Sequence, residues 1–133
     1  MVRSGNKIRR GAAIIEVALA LPLLVLVALS TVDTCSVIFL RQSAKIAAYE
    51  CARVAIIPGV RQEDIQLQCD AIMAHRHIQD YTLNLSVEDL TSLSRGDLLQ
   101  VSVSIPANTN SLVTSWFYRD RVFDETVTIL AER

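Results

Sequence analysis

A basic leader runs directly into a long apolar stretch, and one carboxylate stands inside that stretch. Behind Arg9-Arg10-Gly11, the segment from Ala12 to Leu40 carries only Glu16 and Asp33 as charged residues. About 20 apolar residues in a helix cross a bilayer, so residues 12–40 are expected to form a transmembrane helix. The leader, residues 1–11, holds Arg3, Lys7, Arg9 and Arg10 and no acid. By the positive-inside rule this end stays in the cytoplasm and the C-terminal part lies outside. A charged side chain at the centre of a membrane helix costs about 2.5–3.5 kcal/mol on insertion scales, so Glu16 reads as functional. It stands four residues beyond Ala12. A cut after Gly11 would free an α-amino group on Ala12, a cation that the Glu16 carboxylate could pair with.

The remaining composition bounds the rest. The chain has 133 residues, 51% of them hydrophobic, and a mean hydropathy of +0.34. That allows one small domain beside the membrane segment. Residues 41–133 are short for a self-sufficient core, so the domain is expected to lean on the helix leaving the membrane. Beyond the leader, nine basic side chains face fourteen acidic ones. A mildly acidic exported domain without a basic stripe is a poor nucleic-acid binder.

Periodicity supplies the elements. Residues 12–56 read as one helix, apolar all round to about Val32 and amphipathic afterwards. In its second half Leu40, Ala44, Ala47, Ala48, Cys51 and Ala55 share a face, with Arg41, Lys45, Glu50 and Arg53 mostly elsewhere. Small residues allow close approach of a partner surface. Pro22 predicts a kink or loosened turn within the span. Pro58-Gly59 ends the helix continuation (41–57), and residues 62–78 read as a second helix with Ile65, Cys69, Ile72 and Met73 inward. Three strands follow with alternation of period two: 80–89, 97–106 and 122–131. Their core-facing sets are Tyr81, Leu83, Leu85 and Val87; then Leu99, Val101, Val103 and Ile105; then Phe123, Val127, Ile129 and Ala131. Ser94-Arg95-Gly96-Asp97 marks the turn into the second strand, and residues 107–121 read as a loop. The fold class is therefore α+β: a long N-terminal helix packed on a small three-stranded antiparallel sheet, wet on its other face.

Several residues pose a choice of roles. Cys51 and Cys69 lie symmetrically about Val60, which brings them opposite one another in an antiparallel helix pair. A Cys51–Cys69 disulfide is expected, with two small buried thiols filling the helix interface as the alternative. Cys35 remains, to pack or to cross-link subunits. His75 and His77 are two apart on a helix and point to different faces. With no second Cys/His pair at zinc spacing, solvent-facing histidines and no metal site are expected. Asp33 is expected as a wet boundary residue, and Glu50 with Arg53 as a surface pair. Trp116-Phe117-Tyr118 either covers an open edge of the sheet core or contacts a partner subunit or the membrane surface. No nucleophile elbow, phosphate loop or dinucleotide fingerprint occurs, which points away from an enzyme and from cofactors or a small-molecule substrate.

The opening Arg9-Arg10-Gly11-Ala12-Ala13-Ile14-Ile15-Glu16-Val17-Ala18-Leu19-Ala20-Leu21-Pro22 resembles the processing site and membrane helix of bacterial TadE-like pseudopilins, minor pilin-like proteins of the tight-adherence (Flp-type) pilus. The segments 41–44 and 48–55, alanine-rich with Glu50 and Arg53, are similar to that family's helix continuation, and 128–133 to its last strand. The resemblance implies a type IV pilin-like fold and cleavage after Gly11 by a membrane-embedded prepilin peptidase. It also makes Ala12 the mature N-terminus and Glu16 the motif's acid. The family commonly has an aromatic after the glutamate, where this chain has Val17. Other pilin-like subunits, pilus assembly proteins and membrane lipid are the implied partners. The implied location is the bacterial inner membrane, single-pass, or a pilus or pseudopilus built from it.

Two rivals stand beside this reading. One is a permanent single-pass anchor for an extracytoplasmic binding domain, with Glu16 snorkelling to the headgroups. The other is a secreted domain released by a signal peptidase at Ala28-Leu29-Ser30.

Overall fold

The computed structural model describes residues 5–87, 90, 93–110 and 121–131, with side chains from Gly11 onward. Helix α1 (Gly5–Ala55) is 51 residues long, about 77 Å at 1.5 Å per residue. It is rich in alanine and leucine, both strong helix formers. Pro22 lies inside it, where the missing N–H leaves the Ala18 carbonyl without its usual partner, yet the helix continues. The end comes at Ala55, just before Ile57-Pro58, because a residue preceding proline is pushed out of the helical region. Gly59 takes the left-handed backbone of the turn, with φ +84°.

Burial divides α1 into two lengths. Every residue from Gly11 to Val32 is exposed. Below that point Asp33, Leu40, Ser43, Ala44, Ala47, Ala48, Cys51, Ala52 and Ala55 are buried. Steps of three, four and seven keep these on one face. The domain therefore covers α1 from residue 33, earlier than the boundary at residue 41 expected from composition. Asp33 corrects the sequence reading. It is only 4% exposed, because it stands seven residues before Leu40 and so shares the face turned toward the domain.

Helix α2 (Gln62–His75) runs back along α1 and buries Ile65, Cys69 and Met73. At its start Asp64 Oδ2 accepts the Arg61 amide at 3.0 Å, tying down the chain entering the helix. The second helix was expected to reach residue 78 but stops three residues short. His77 adopts φ +57°, its amide donates to the Ala74 carbonyl, and the Ile78 amide donates to the Met73 carbonyl. This is a Schellman cap with histidine in the position that glycine usually fills, and it brings Ile78 into the same core cluster as Met73.

Three strands complete the domain: β1 (Thr82–Leu85), β2 (Leu98–Pro106) and β3 (Val122–Leu130), in the order β1-β2-β3 and antiparallel throughout. β1 is shorter than the expected 80–89. β2 and β3 pair one-to-one from Leu98↔Leu130 to Pro106↔Val122. The turn at 94–97 forms as expected: Asp97 accepts the Ser94 amide at 2.8 Å, and Gly96 has φ +97°. A four-residue helix, α3 (Ala107–Asn110), follows β2 where a loop was expected. Asn110 Oδ1 accepts the Gln79 amide at 2.9 Å, and its Nδ2 donates to the Asp80 and Pro106 carbonyls.

The core is one layer between helix and sheet. Leu99, Val101, Val103 and Ile105 of β2 are fully buried against the alanines of α1, while Gln100, Ser102 and Ser104 alternate toward water, the serines half-covered. Leu90 and Leu93, between β1 and β2, close one end of this layer. Alanine on α1 leaves room only for the β2 side chains already there. Ala47→Leu is expected to overpack the layer and cost about 1–3 kcal/mol. Ala20→Leu, on the exposed length, is expected to leave stability unchanged. Urea unfolding of both variants in detergent, followed by circular dichroism, compares them.

Candidate functional site

The residues singled out for processing and assembly lie on the exposed length of α1. Gly11, Ala12 and Glu16 are all exposed and fall within one and a half helical turns. Ala12 and Glu16 are separated by one turn and share a face. Around them the surface is apolar: Ile14, Leu19 and Leu24 are 69%, 75% and 66% exposed. The helix is long and apolar enough to cross a membrane, and its most hydrophobic window is entirely unburied. From Ala12 to Val32 it measures about 31 Å, close to the hydrocarbon thickness of about 30 Å. Three hydroxyls at the end of this length bond back to the helix. Thr31 Oγ1 donates to the Val27 carbonyl, Thr34 Oγ1 to that of Ser30 and Ser36 Oγ to that of Val32, at 2.8–3.0 Å.

Among the described residues nothing packs against Gly11. A Cβ built on it would meet nothing within 4 Å, and a glycine inside a helix costs roughly 0.5–1 kcal/mol relative to alanine. Nothing in the fold accounts for that cost.

The folded half of the chain is tied to α1 by contacts of different kinds. Cys51 and Cys69 are joined as a disulfide between α1 and α2, with Cα atoms 6.1 Å apart. Arg76, just past α2, donates from Nη1 to the buried Ser43 Oγ at 3.1 Å. Arg41 stacks over the Phe123 ring, 5.5 Å from its centre. Gln66 Nε2 donates to the Tyr81 hydroxyl at 2.8 Å and to Asp70 Oδ1 at 3.2 Å, while the Tyr81 hydroxyl donates to the same carboxylate. Burial, and after it the bond to Asp70 and its negative charge, hold the Tyr81 phenol well above its ordinary range. Sequence reading missed Gln66 and Asp70, and their i, i+4 spacing on one helix face is the signal that could have found them. The bond from Arg76 to Ser43 had no sequence signal, because it spans 33 residues.

The other candidates are placed plainly. Cys35 is a free, exposed thiol. His75 and His77 are exposed, and among the described residues no three of His, Cys, Asp and Glu gather as a metal site. Arg53 and Glu50 approach to 4.0 Å as a surface pair. Trp116-Phe117-Tyr118 lies outside the described residues.

Residues 11–53 match the family model described as TadE-like protein. The match covers α1 from Gly11 to Arg53, both its exposed and its packed length. No curated protein and no solved structure matches the chain.

The disulfide closes an 18-residue separation. Replacing both cysteines by alanine is expected to lower stability by about 2–4 kcal/mol. Thiol titration of the unfolded wild-type chain should find one reactive thiol before reduction and three after. The Tyr81 phenol makes a second prediction. Because its folded pKa is raised, its contribution is fully present below pH 10, the ordinary tyrosine range, and is lost as pH rises toward the folded value. Thermal melts between pH 9 and 11 should fall more steeply for wild type than for Tyr81→Phe.

Proposed function

We propose that this chain is a minor pilin-like (pseudopilin) component of a tight-adherence pilus apparatus, cleaved after Gly11 and assembled through its N-terminal helix. The observation that carries this reading is the apolar length of α1, exposed on every side and bearing Glu16. A surface of this kind is stable only in lipid or against other helices. The TadE-like match begins at Gly11 itself, and supports the same reading. So does the cost of a glycine that no neighbour in the chain requires, since a peptidase needing close backbone approach would require it.

Once cleaved, each subunit carries an ammonium at Ala12 one turn before a carboxylate at Glu16. A neighbour displaced along the helix axis by about 6 Å brings its amine level with that carboxylate. Either charge buried alone in a helix bundle is strongly unfavourable, and the pair removes both penalties. Glu16 then sets the register between subunits, and the chain acts as a structural component rather than as an enzyme. Its working partners are the prepilin peptidase, other pilin-like subunits and the bilayer. The leader faces the cytoplasm and the folded domain the far side of the inner membrane.

Terminal sequencing and intact mass of the protein from membranes containing the peptidase test the processing step. A start at Ala12 is expected. A start at Thr31 would mean a secreted domain, and an uncut chain a simple anchor; either result overturns the proposal. Glu16→Ala is expected to insert and be processed normally while its recovery in sheared fibres falls at least about tenfold. Normal recovery would remove Glu16 from assembly.

A further inference from the structure

Where the exposed length of α1 ends and α2 stops, a cavity of about 730 Å³ opens between them. That volume lies within the range of about 300–1,000 Å³ usual for small-ligand sites. Val32, Cys35, Ser36 and Phe39 of α1 form one wall, and Arg76 and His77 stand at the end of α2. The α1 wall is apolar in effect, because the Ser36 hydroxyl is spent on the Val32 carbonyl. The other side carries the Arg76 guanidinium. Arg76 is held by its bond to Ser43, which leaves further guanidinium N–H groups for a second acceptor. His77 is fixed in place by the cap that ends α2. Among the described lining residues none is acidic.

Depth decides what such a groove meets. If Ala12 to Val32 fills the hydrocarbon layer, the cavity begins at its outer edge and rises into the headgroup region. The inference rests on the membrane-anchored reading above. At that level the molecule with an apolar chain below and an anionic oxygen cluster above is a phospholipid. A guanidinium fork matches phosphate oxygens in geometry as well as charge, and basic pockets beside membrane helices take anionic headgroups.

We propose that this groove holds one anionic phospholipid of the outer leaflet, its phosphodiester against Arg76 and His77 and its upper acyl chain along Val32, Cys35 and Phe39. The bound lipid would form part of the wedge between α1 and the domain.

The full chain is reconstituted in nanodiscs of mixed phosphatidylglycerol and phosphatidylcholine, released into mild detergent and weighed by native mass spectrometry. One retained phosphatidylglycerol per chain is expected, favoured at least fivefold over phosphatidylcholine. Arg76→Gln should lose that preference. Because Arg76 also holds Ser43, a second variant, Cys35→Trp, fills the groove from an exposed position and leaves that bond intact; it should retain no lipid. Equal retention of both lipids by wild type, undiminished retention by Cys35→Trp, or a second copy of the chain in place of lipid would overturn the proposal. Co-elution with nanodiscs separates the two readings. A chain that inserts but holds no lipid overturns the groove alone, and one that fails to insert overturns the anchored reading with it.

Discussion

The close seating of α1 on the sheet is the contact on which the other features depend. It is possible because Ala44, Ala47, Ala48, Ala52 and Ala55 present almost no side chain, so Val101, Val103 and Ile105 reach in from β2 and fill the space between. Interiors of this density tolerate neither gaps nor added methylenes. The three strands alone bury one face and would have nothing to cover it, and α2 alone is 14 residues, short for an independent helix in water. Each acquires its stability from the helix whose other length stands exposed beyond the domain. The disulfide, the Arg76–Ser43 bond and the Arg41–Phe123 contact then fix where on α1 the other elements sit.

That arrangement gives one helix two solvents. Above Asp33 every residue of α1 from Gly11 is exposed and nearly all are apolar; from Asp33 onward one stripe is buried in protein. The change falls after a length that matches a hydrocarbon layer, so the apolar surface of the first part and the small-residue stripe of the second answer to different partners. Glu16, Gly11 and Ala12 all belong to the part that the chain itself leaves uncovered.

Much of this was legible because simple periods survive into the structure. Alternation in β2 and β3 maps directly onto buried and wet faces, since a sheet covered on one side forces that pattern. The alanine stripe was equally plain, since a helix repeats its faces every three or four residues. What escaped was set by tertiary contact. The end of α2 carries no glycine, and His77 takes the left-handed cap where the Ile78 amide bonds the Met73 carbonyl and both side chains enter the core. Asp33 looks like a boundary residue by charge, and only its phase relative to Leu40 and Ala44 shows which way it faces. Leu90 and Leu93 lie in a polar connection with no period at all. The groove beside Cys35 has walls 40 residues apart in the chain, so no local pattern could announce it.

A single uninterrupted α1 also has a mechanical meaning. No hinge separates the span from the domain, since the same hydrogen-bonded rod continues from one into the other. From Pro22 onward, axial push or torque on α1 is delivered to the sheet as along a drive shaft. The compliant point is Pro22, where one backbone bond is missing, and it lies within the exposed length, ahead of the packed stripe. Any bending is thus absorbed before the load reaches the packed stripe, and the domain turns as one body with the last two-thirds of its helix.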